Sequence, residues 1–350
     1  MKEIKLFIDQ ITLYIQSEVK FAIATVIHVD GSAYRRPGAR MLINENGDWH
    51  GGISGGCLEG DMLKKAQLAM LSNQNKLVKY DTRDDDPFEL GVGLGCNGLI
   101  EILICPDLEY AKNLLKILMV HIQNYEPILL EHVFQLDNTH SGSIKHHKPS
   151  ASFASVFTKE ELDQVLNLHQ SQCKVIDEKV FFIEYLPAIP RVVLYGHLFD
   201  SKSMIELCDY LSWDVCWVGN PLKMNSLLKN KVQSFYHWDD SFKINAHDAV
   251  VLMTHDFDRD VAILKYLNSI QFSGYIGVLG PLKRMNKIIK QLELLSVNQL
   301  QSNYFGPIGL DIGAEGPDEI ALSIVSEIIA YNSSRDGSFL KNRQKPIHTN

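Results

Sequence analysis

Cysteine is sparse in this sequence. There are six in 350 residues, at Cys57, Cys96, Cys105, Cys173, Cys208 and Cys216. They show neither zinc-knuckle spacing nor the pattern of a secreted disulfide framework. In a reducing compartment they are thiols, so one with a role is reactive or ligating rather than structural. Long apolar runs are missing too. None approaches the roughly 18 uninterrupted apolar residues of a membrane helix. The start, Met1-Lys2-Glu3-Ile4-Lys5, has no apolar stretch or cleavage site of a secretory signal. A cytoplasmic location with no membrane partner is therefore expected. Basic residues are in deficit, with a net charge of −8 and a pI near 5.9. That excludes the dense basic face that nucleic-acid phosphates require.

The composition that remains, 45% hydrophobic and 22% charged, is that of a globular chain. At roughly 100–200 residues per domain, the length predicts two domains. Apolar residues at Ile4, Phe7, Ile11 and Ile15 have helical spacing. The β-branched run at 20–29 reads as a strand. Further strands are expected at 39–43, 77–80, 99–105, 126–135, 151–157 and 175–185, with helices from Ser54 to about Leu71 and near 107–122. The His- and Lys-rich stretch 138–150 reads as a mobile, solvated loop, and His140, His146 and His147 lack metal-ligand spacing. Pro187 and Pro190 mark a linker, since neither can continue a helix or a central strand.

Beyond the linker the pattern alternates. Strands are expected at 191–195, 214–218, 249–254 and 275–279, and helices at 201–211, 259–270, 282–295 and 317–331. Short apolar strands alternating with helices imply a doubly wound parallel sheet. The expected fold class is thus α/β. A mixed N-terminal α/β domain, residues 1–186, precedes a Rossmann-like domain, residues 191–332, and a disordered tail, 333–350.

Four segments could carry chemistry. In Ser54-Gly55-Gly56-Cys57-Leu58-Glu59, two glycines and a following helix can turn backbone N–H groups toward an anion. A cysteine there gains thiolate character; a glycine turn ahead of a buried thiol is the plainer alternative. In Gly31-Ser32-Ala33-Tyr34-Arg35-Arg36-Pro37-Gly38-Ala39-Arg40, three arginines surround a small-residue turn, and a guanidinium grips phosphate with a planar fork. A solvated hairpin loop would look similar. Gly91–Gly98 precedes a strand, so it is not a dinucleotide fingerprint, and Cys96 within it either faces Cys57 or is a buried spectator. In the second domain the strand ends read Gly196-His197, Gly219-Asn220, Thr254-His255-Asp256 and Gly280-Pro281. If the usual strand order holds, His197 and His255 flank the switch point and with Asp256 could bind a metal or phosphate; helix capping would explain the same residues. The first turn keeps a single glycine, Gly196, with Phe199 where a small residue is expected. The second strand ends without the acid that would hold a ribose, so NAD is not expected.

The order and content of these segments resemble the XdhC/CoxI family of xanthine dehydrogenase accessory factors. The resemblance rests on Gly31-Ser32, Arg35 and Gly38-Ala39, on Ser54–Glu59, and on Gly93-Leu94-Gly95-Cys96-Asn97-Gly98. It continues through Val251–Asp256, Tyr275-Ile276-Gly277, and Pro307-Ile308-Gly309-Leu310-Asp311-Ile312-Gly313-Ala314 with Pro317–Ala321. It implies a chaperone that carries the molybdenum cofactor, a molybdopterin, assists its sulfuration and delivers it to a xanthine dehydrogenase-type molybdoenzyme. A cysteine desulfurase partner and a homo-oligomer are implied alongside. Matching the motif residue by residue points to Gly55, Gly56 and Cys57, with Arg35 nearby. Cys57 is the expected molybdenum ligand. Gly31, Ser32, Ser54, Glu59, Cys96, His197, Thr254, His255, Asp256 and Asp311 are further candidates for the cofactor. The chain departs from the family at Leu194-Tyr195-Gly196, at Asn220-Pro221-Leu222 and at Gly280-Pro281, where a glycine-rich turn, Asp-Pro-Arg and Gly-Ser are usual. An NAD(P)-dependent oxidoreductase and a cofactor-free interaction module are the rival readings.

Overall fold

A computed structural model of the protein describes residues 2–81, 98–136, 142–151, 153–295 and 303–344. The chain divides into two compact units, Glu3–Ala188 and, with the first two residues, Ile189–Asn350.

The N-terminal unit contains α1 (Lys2–Gln16), β1 (Phe21–Gly31), β2 (Arg40–Asn44), β3 (Trp49–Gly51), α2 (Glu59–Ser72), β4 (Lys76–Asp81), β5 (Gly98–Cys105), α3 (Leu108–Asn124), β6 (Ile128–Gln135), β7 (Gly142–His147), α4 (Lys159–Leu168), β8 (Gln172–Ile176) and β9 (Lys179–Leu186). Two antiparallel sheets result, one in the order β3-β2-β1-β5-β4 and one in the order β7-β6-β9-β8. Strand β1 is apolar on both faces because both are covered. Ala22, Ala24 and Val26 pack with Met62, Ala66 and Ala69 of α2. Phe21, Ile23 and Ile27 join Ile8 and Ile11 of α1, Leu114 and Leu118 of α3, and Phe134 and Phe182 of the second sheet. A bulge between Val26 and His28 switches the alternation, so that Val29 packs on the α2 side with Ala22, Ala24 and Val26. Helix α4 covers the far face of the second sheet through Val165, Phe157 and Ile183.

Several elements differ from expectation. Part of the stretch expected as a mobile loop is β7, an edge strand whose Lys145 and His146 face solvent. His147 stacks on Phe153 with ring centroids 3.6 Å apart and bonds Glu131 at 3.3 Å. The strand expected at 151–157 does not form among its described residues. The expected strand 175–185 is the hairpin β8–β9, reversing at Asp177 and Glu178, both with positive φ. Helix α4 was not expected, although Thr158 and Glu161 form a complete capping box.

One buried network joins the two sheets. The Arg40 guanidinium, at the start of β2, bonds both oxygens of Glu184 on β9, with Nη1 to Oε1 at 3.0 Å, and Nη1 also reaches the Gly38 carbonyl at 3.1 Å. His132 on β6 donates from Nε2 to Glu184 at 3.2 Å, so its Nδ1 accepts from the Tyr110 hydroxyl at 2.9 Å. Burial raises the Glu184 pKa, but the charge of Arg40 and the His132 bond outweigh it, and the carboxyl falls to about 2. Burial holds His132 below the ordinary imidazole value. Arg40, expected among the anion-gripping arginines, is therefore committed inside the protein. Gly38 is required beside it: its φ is +96°, and a Cβ there would stand 2.6 Å from Glu184 Oε1.

The C-terminal unit contains β10 (Arg191–Tyr195), α5 (Asp200–Tyr210), β11 (Asp214–Gly219), β12 (Ser234–His237), β13 (Ala249–Leu252), α6 (Phe257–Ser269), β14 (Tyr275–Val278), α7 (Leu282–Leu294), β15 (Tyr304–Phe305) and α8 (Pro317–Asn332). Its six strands are parallel in the order β12-β11-β10-β13-β14-β15, a Rossmann-like arrangement with its switch point between β10 and β13. Val192 and Leu194 face α5 and α8, while Val193 and Tyr195 face α6 and α7. The short strands β12 and β15 escaped the sequence reading. No helix among the described residues is long and apolar enough to cross a membrane.

The buried network predicts an acid limit. A carboxyl depressed from 4.5 to about 2 stabilises the fold fully above pH 4.5 and loses that contribution as pH falls toward 2. The depressed His132 acts in the same direction, beginning as pH falls below its ordinary 6.5. Glu184→Gln leaves Arg40 as an unpaired buried charge and is expected to cost about 3–5 kcal/mol. Urea unfolding at pH 7 measures this; a loss below about 1 kcal/mol, within the range of a surface pair, would show that the network is not holding the sheets.

Candidate functional site

The Ser54–Glu59 turn leads into α2 and is closed by its own side chains. Ser54 Oγ accepts from the N–H groups of Gly56, Cys57 and Leu58 at 3.2, 3.0 and 3.1 Å. The same hydroxyl donates to Glu59 Oε2 at 2.5 Å. Glu59 in turn accepts from the N–H groups of Ile53, Ser54 and Leu58. Burial raises the Glu59 pKa, but the bonds from Ser54 and the backbone outweigh it and the carboxyl lies below its ordinary value. The N–H groups expected to meet a phosphate are thus already taken, and the anion at this helix start is Glu59 itself. Gly56, at φ +108°, makes the turn that a side chain would strain. What the turn presents outward is Cys57, exposed and free, two residues before α2 begins.

The arginine loop lies alongside. The Tyr34 ring, 67% exposed, covers Gly55: a Cβ on that glycine would stand 3.6 Å from it. Arg35 makes two bonds to Glu3 on α1, at 2.8 and 2.5 Å, so its fork is engaged within the unit. Arg36 is exposed and makes no ion pair among the described residues. Gly31 and Ser32 end β1, where Gly31 pairs with Gly98. Cys96 and residues 91–97 lie outside the described residues.

A second site lies at the carboxyl ends of β10, β11, β12 and β13. A cavity of about 410 Å³ is lined by His197, Asn220, Lys223, Trp238, Asp256 and Arg259, among others. Arg259 lies over the Trp238 ring at 4.2 Å, and His197 meets that ring edge-on at 5.5 Å. Burial and then the charges of Lys223 and Arg259 lower the His197 pKa. Of the residues expected here, Thr254 is committed to Asp260 at 2.5 Å, and Asp256 caps α6 by accepting from Arg259 N–H. His255, at φ +56°, bonds Asp200 through Nε2 at 2.6 Å, whereas His197 faces Trp238. The strands carrying the two histidines are neighbours, but their side chains have separate partners. No group of three His, Cys, Asp or Glu among the described residues could hold a metal ion.

Family models match both units. The model described as the XdhC and CoxI family matches residues 14–81, which include the Ser54–Glu59 turn. The one described as the XdhC Rossmann domain matches residues 192–328. The chain belongs to the XdhC and CoxI family. It is 29% identical to a Bacillus subtilis protein named as a probable xanthine dehydrogenase subunit, over 90% of this chain and 94% of that one. It is 20% identical to the molybdenum cofactor insertion chaperone PaoD of Escherichia coli, over 87% and 81%. A solved structure titled as a xanthine dehydrogenase from Bacillus halodurans aligns with a TM-score of 0.72 at 26% identity, covering 95% of this chain and 98% of that one.

In this XdhC-family chain the most specific expected run, Pro307–Ala314, is anchored to α8. Gly309 N–H bonds Glu327 at 2.9 Å, and Ser323 Oγ donates to the Leu310 carbonyl at 2.6 Å. Asp311 stays exposed on it. The first turn of the Rossmann domain needs a correction. Phe199 is 76% exposed and plugs no helix–sheet contact. Counting from Gly196, the second and third fingerprint glycines fall on Leu198 and on the fully buried Ser201. Asp200, in the first turn of α5, accepts from Ser201 N–H at 2.9 Å, so a carboxylate occupies the place of a pyrophosphate. Lys223, Trp238 and Arg259 were missed, whereas Asn220 stands among the expected strand ends. Lys223 and Trp238 stand in irregular or edge segments, which carry no periodic signal.

Removing Ser54 Oγ leaves three N–H groups short of their acceptor. Ser54→Ala is therefore expected to lower stability by about 1–2 kcal/mol. Cys57→Ser should stay within about 0.5 kcal/mol of the parent, as exposed substitutions do. Cys208→Ser, which buries a hydroxyl in the core of α5, should cost about 1–3 kcal/mol. Urea midpoints measure all three; a Ser54→Ala protein as stable as the parent would rule out the serine as the turn's support.

Proposed function

We propose that this protein is an accessory factor that receives the molybdenum cofactor, assists its sulfuration and passes it to a xanthine dehydrogenase-type enzyme. The observation that carries the reading is Cys57: an exposed thiol held out on a rigid turn inside the segment that the family model matches. The naming of PaoD as a molybdenum cofactor insertion chaperone supports the same role.

The residues fit such a cargo in a particular way. Cys57 would supply a thiolate ligand for the metal, and a cysteine desulfurase would be the source of the separate sulfur that replaces the exchangeable ligand. The cargo's phosphate does not rest on the start of α2, because Ser54 and Glu59 fill it. Arg36, exposed and without an ion pair among the described residues, is a cation left to meet that charge. Ser54 and Glu59 position the thiol, and Tyr34 flanks the glycines. The cargo is carried, so no turnover is required of this chain. The rival reading, an NAD(P)-dependent oxidoreductase, meets Leu198 and the Asp200 carboxylate where a dinucleotide needs a glycine and free N–H groups.

Co-expression with the client dehydrogenase tests the proposal. Cys57→Ser protein should fold as the parent does yet retain at least about tenfold less molybdopterin, a difference near 1.4 kcal/mol, and leave the client inactive. Arg36→Ala should weaken retention without abolishing activation. A Cys57→Ser protein that carries cofactor and activates the client as well as the parent does would remove the thiol from the mechanism.

A further inference from the structure

We propose that the cavity at the ends of β10, β11, β12 and β13 binds a phosphate monoester joined to a flat heteroaromatic ring, a ligand the size of a nucleoside monophosphate and not of a dinucleotide. The inference stands apart from the molybdenum reading, since it uses no residue of the Ser54–Glu59 turn.

The charges argue for a phosphate. Lys223 is exposed, lines the cavity and makes no ion pair among the described residues. Arg259 lines the same cavity, and burial first, then the charges of Lys223 and Arg259, lower the His197 pKa. The two carboxylates nearby are turned to other work. Asp256 caps α6, and Asp239, 87% exposed, lies 3.2 Å from the His237 ring. Arg259 Nε lies 3.8 Å from the second oxygen of Asp256, so Lys223 is the cation lining this cavity that has no ion pair among the described residues. His197 Nδ1 is also buried without a hydrogen-bond partner, and buried polar atoms of that kind are ordinarily satisfied.

The flat ring follows from Trp238 and Arg259. The guanidinium lies over the indole, 4.2 Å from its centroid, so both groups line the cavity together, and guanidinium planes and indoles each stack on heteroaromatic rings. Asn220, at the exit of β11, accepts from Leu222 N–H at 3.0 Å through its amide oxygen, and its NH2 can donate. The strand ends β10, β11 and β12 are where a doubly wound sheet holds the first nucleoside of a dinucleotide.

Size sets the limit. A cavity of about 410 Å³ lies at the small end of the roughly 300–1,000 Å³ range of ligand pockets. Past His197 the chain lacks the features that hold a second half. Leu198 stands at the second glycine position, and Asp200 places a buried negative charge at the start of α5, held there by Ser201 N–H and His255. A pyrophosphate would meet that charge instead of free N–H groups.

Titration calorimetry on the full chain tests this with six probes: AMP, adenosine, a phosphorylated hydroxymethylpterin, the same pterin without phosphate, inorganic phosphate and NAD. AMP or the pterin phosphate is expected to bind with a Kd of about 10 µM, and its unphosphorylated partner and inorganic phosphate at least about tenfold more weakly. Which of the two esters wins identifies the source of the ligand. Lys223→Ala, a change at an exposed residue, and Trp238→Leu should each weaken binding by about tenfold or more. AMP contains neither pterin nor molybdenum, so its binding is read separately from the molybdenum reading. The inference is overturned if neither ester binds below millimolar, if removing the phosphate makes no difference, if Lys223→Ala binds as well as the parent, or if NAD binds tenfold tighter than AMP.

Discussion

The N-terminal unit depends on a charge it cannot leave uncompensated. Arg40 enters β2 with its guanidinium inside the protein, and isolation there would cost several kcal/mol. Glu184 supplies the counter-charge from the other sheet, and His132 and Tyr110 complete its hydrogen bonds. Because the partners lie on β2, β6, β9 and α3, the ion pair fixes how the two sheets meet. It also fixes the loop before β2, since the Gly38 carbonyl is part of the same set and only a glycine clears Glu184. That loop carries Tyr34 to Gly55. A constraint in the core thereby reaches the surface turn that exposes Cys57.

A shared solution marks both helix starts that looked ready for an anion. At α2 the N–H groups converge on Ser54 Oγ and Glu59; at α5 the carboxylate of Asp200 takes Ser201 N–H and pairs with His255. At α2 the converging N–H groups are satisfied and cannot also cradle a phosphate; at α5 one N–H is taken and the buried Asp200 carboxylate opposes a second anion. The two proposed sites lie beside the helix starts: a thiol at one and an aromatic cavity lined by Lys223 and Arg259 at the other.

This also explains how far the sequence could be read. Strands such as β1 and β10 are apolar on both faces, and their β-branched runs declare them whatever lies around them. The Rossmann-like order followed from alternation alone. Edge strands have no such signature: β7 reads Gly-Ser-Ile-Lys-His-His, half exposed, and is a strand only because β6 offers it a ladder. Strands β12 and β15, at the two ends of the second sheet, were lost for the same reason. Helix α4 was legible, since Thr158 and Glu161 spell a capping box, but its apolar face is short. At the sites, the glycines and Cys57 could be read from spacing. That Ser54 Oγ and not a ligand would satisfy the N–H groups could not, because spacing is silent on which acceptor arrives first. Arg40 looks the same as Arg36 in the sequence; only the fold buries one and leaves the other exposed.

The distinction between committed and uncommitted groups then sets what each unit can do. Arg35, Arg40, Thr254, His255 and Asp256 are polar and well placed in the sequence, yet each is already bonded to a neighbour, and recruiting one for a ligand would first require breaking that bond at a cost of about 1 kcal/mol or more. Cys57, Arg36 and Lys223 carry no such debt. A carrier must bind its cargo and also release it, which favours a few uncommitted groups on a stiff support over a deep cage of ligands. On the proposed function, a single exposed thiol backed by a self-satisfied turn would meet that requirement, since one bond to a cargo could form and break without breaking the hydrogen bonds of the turn.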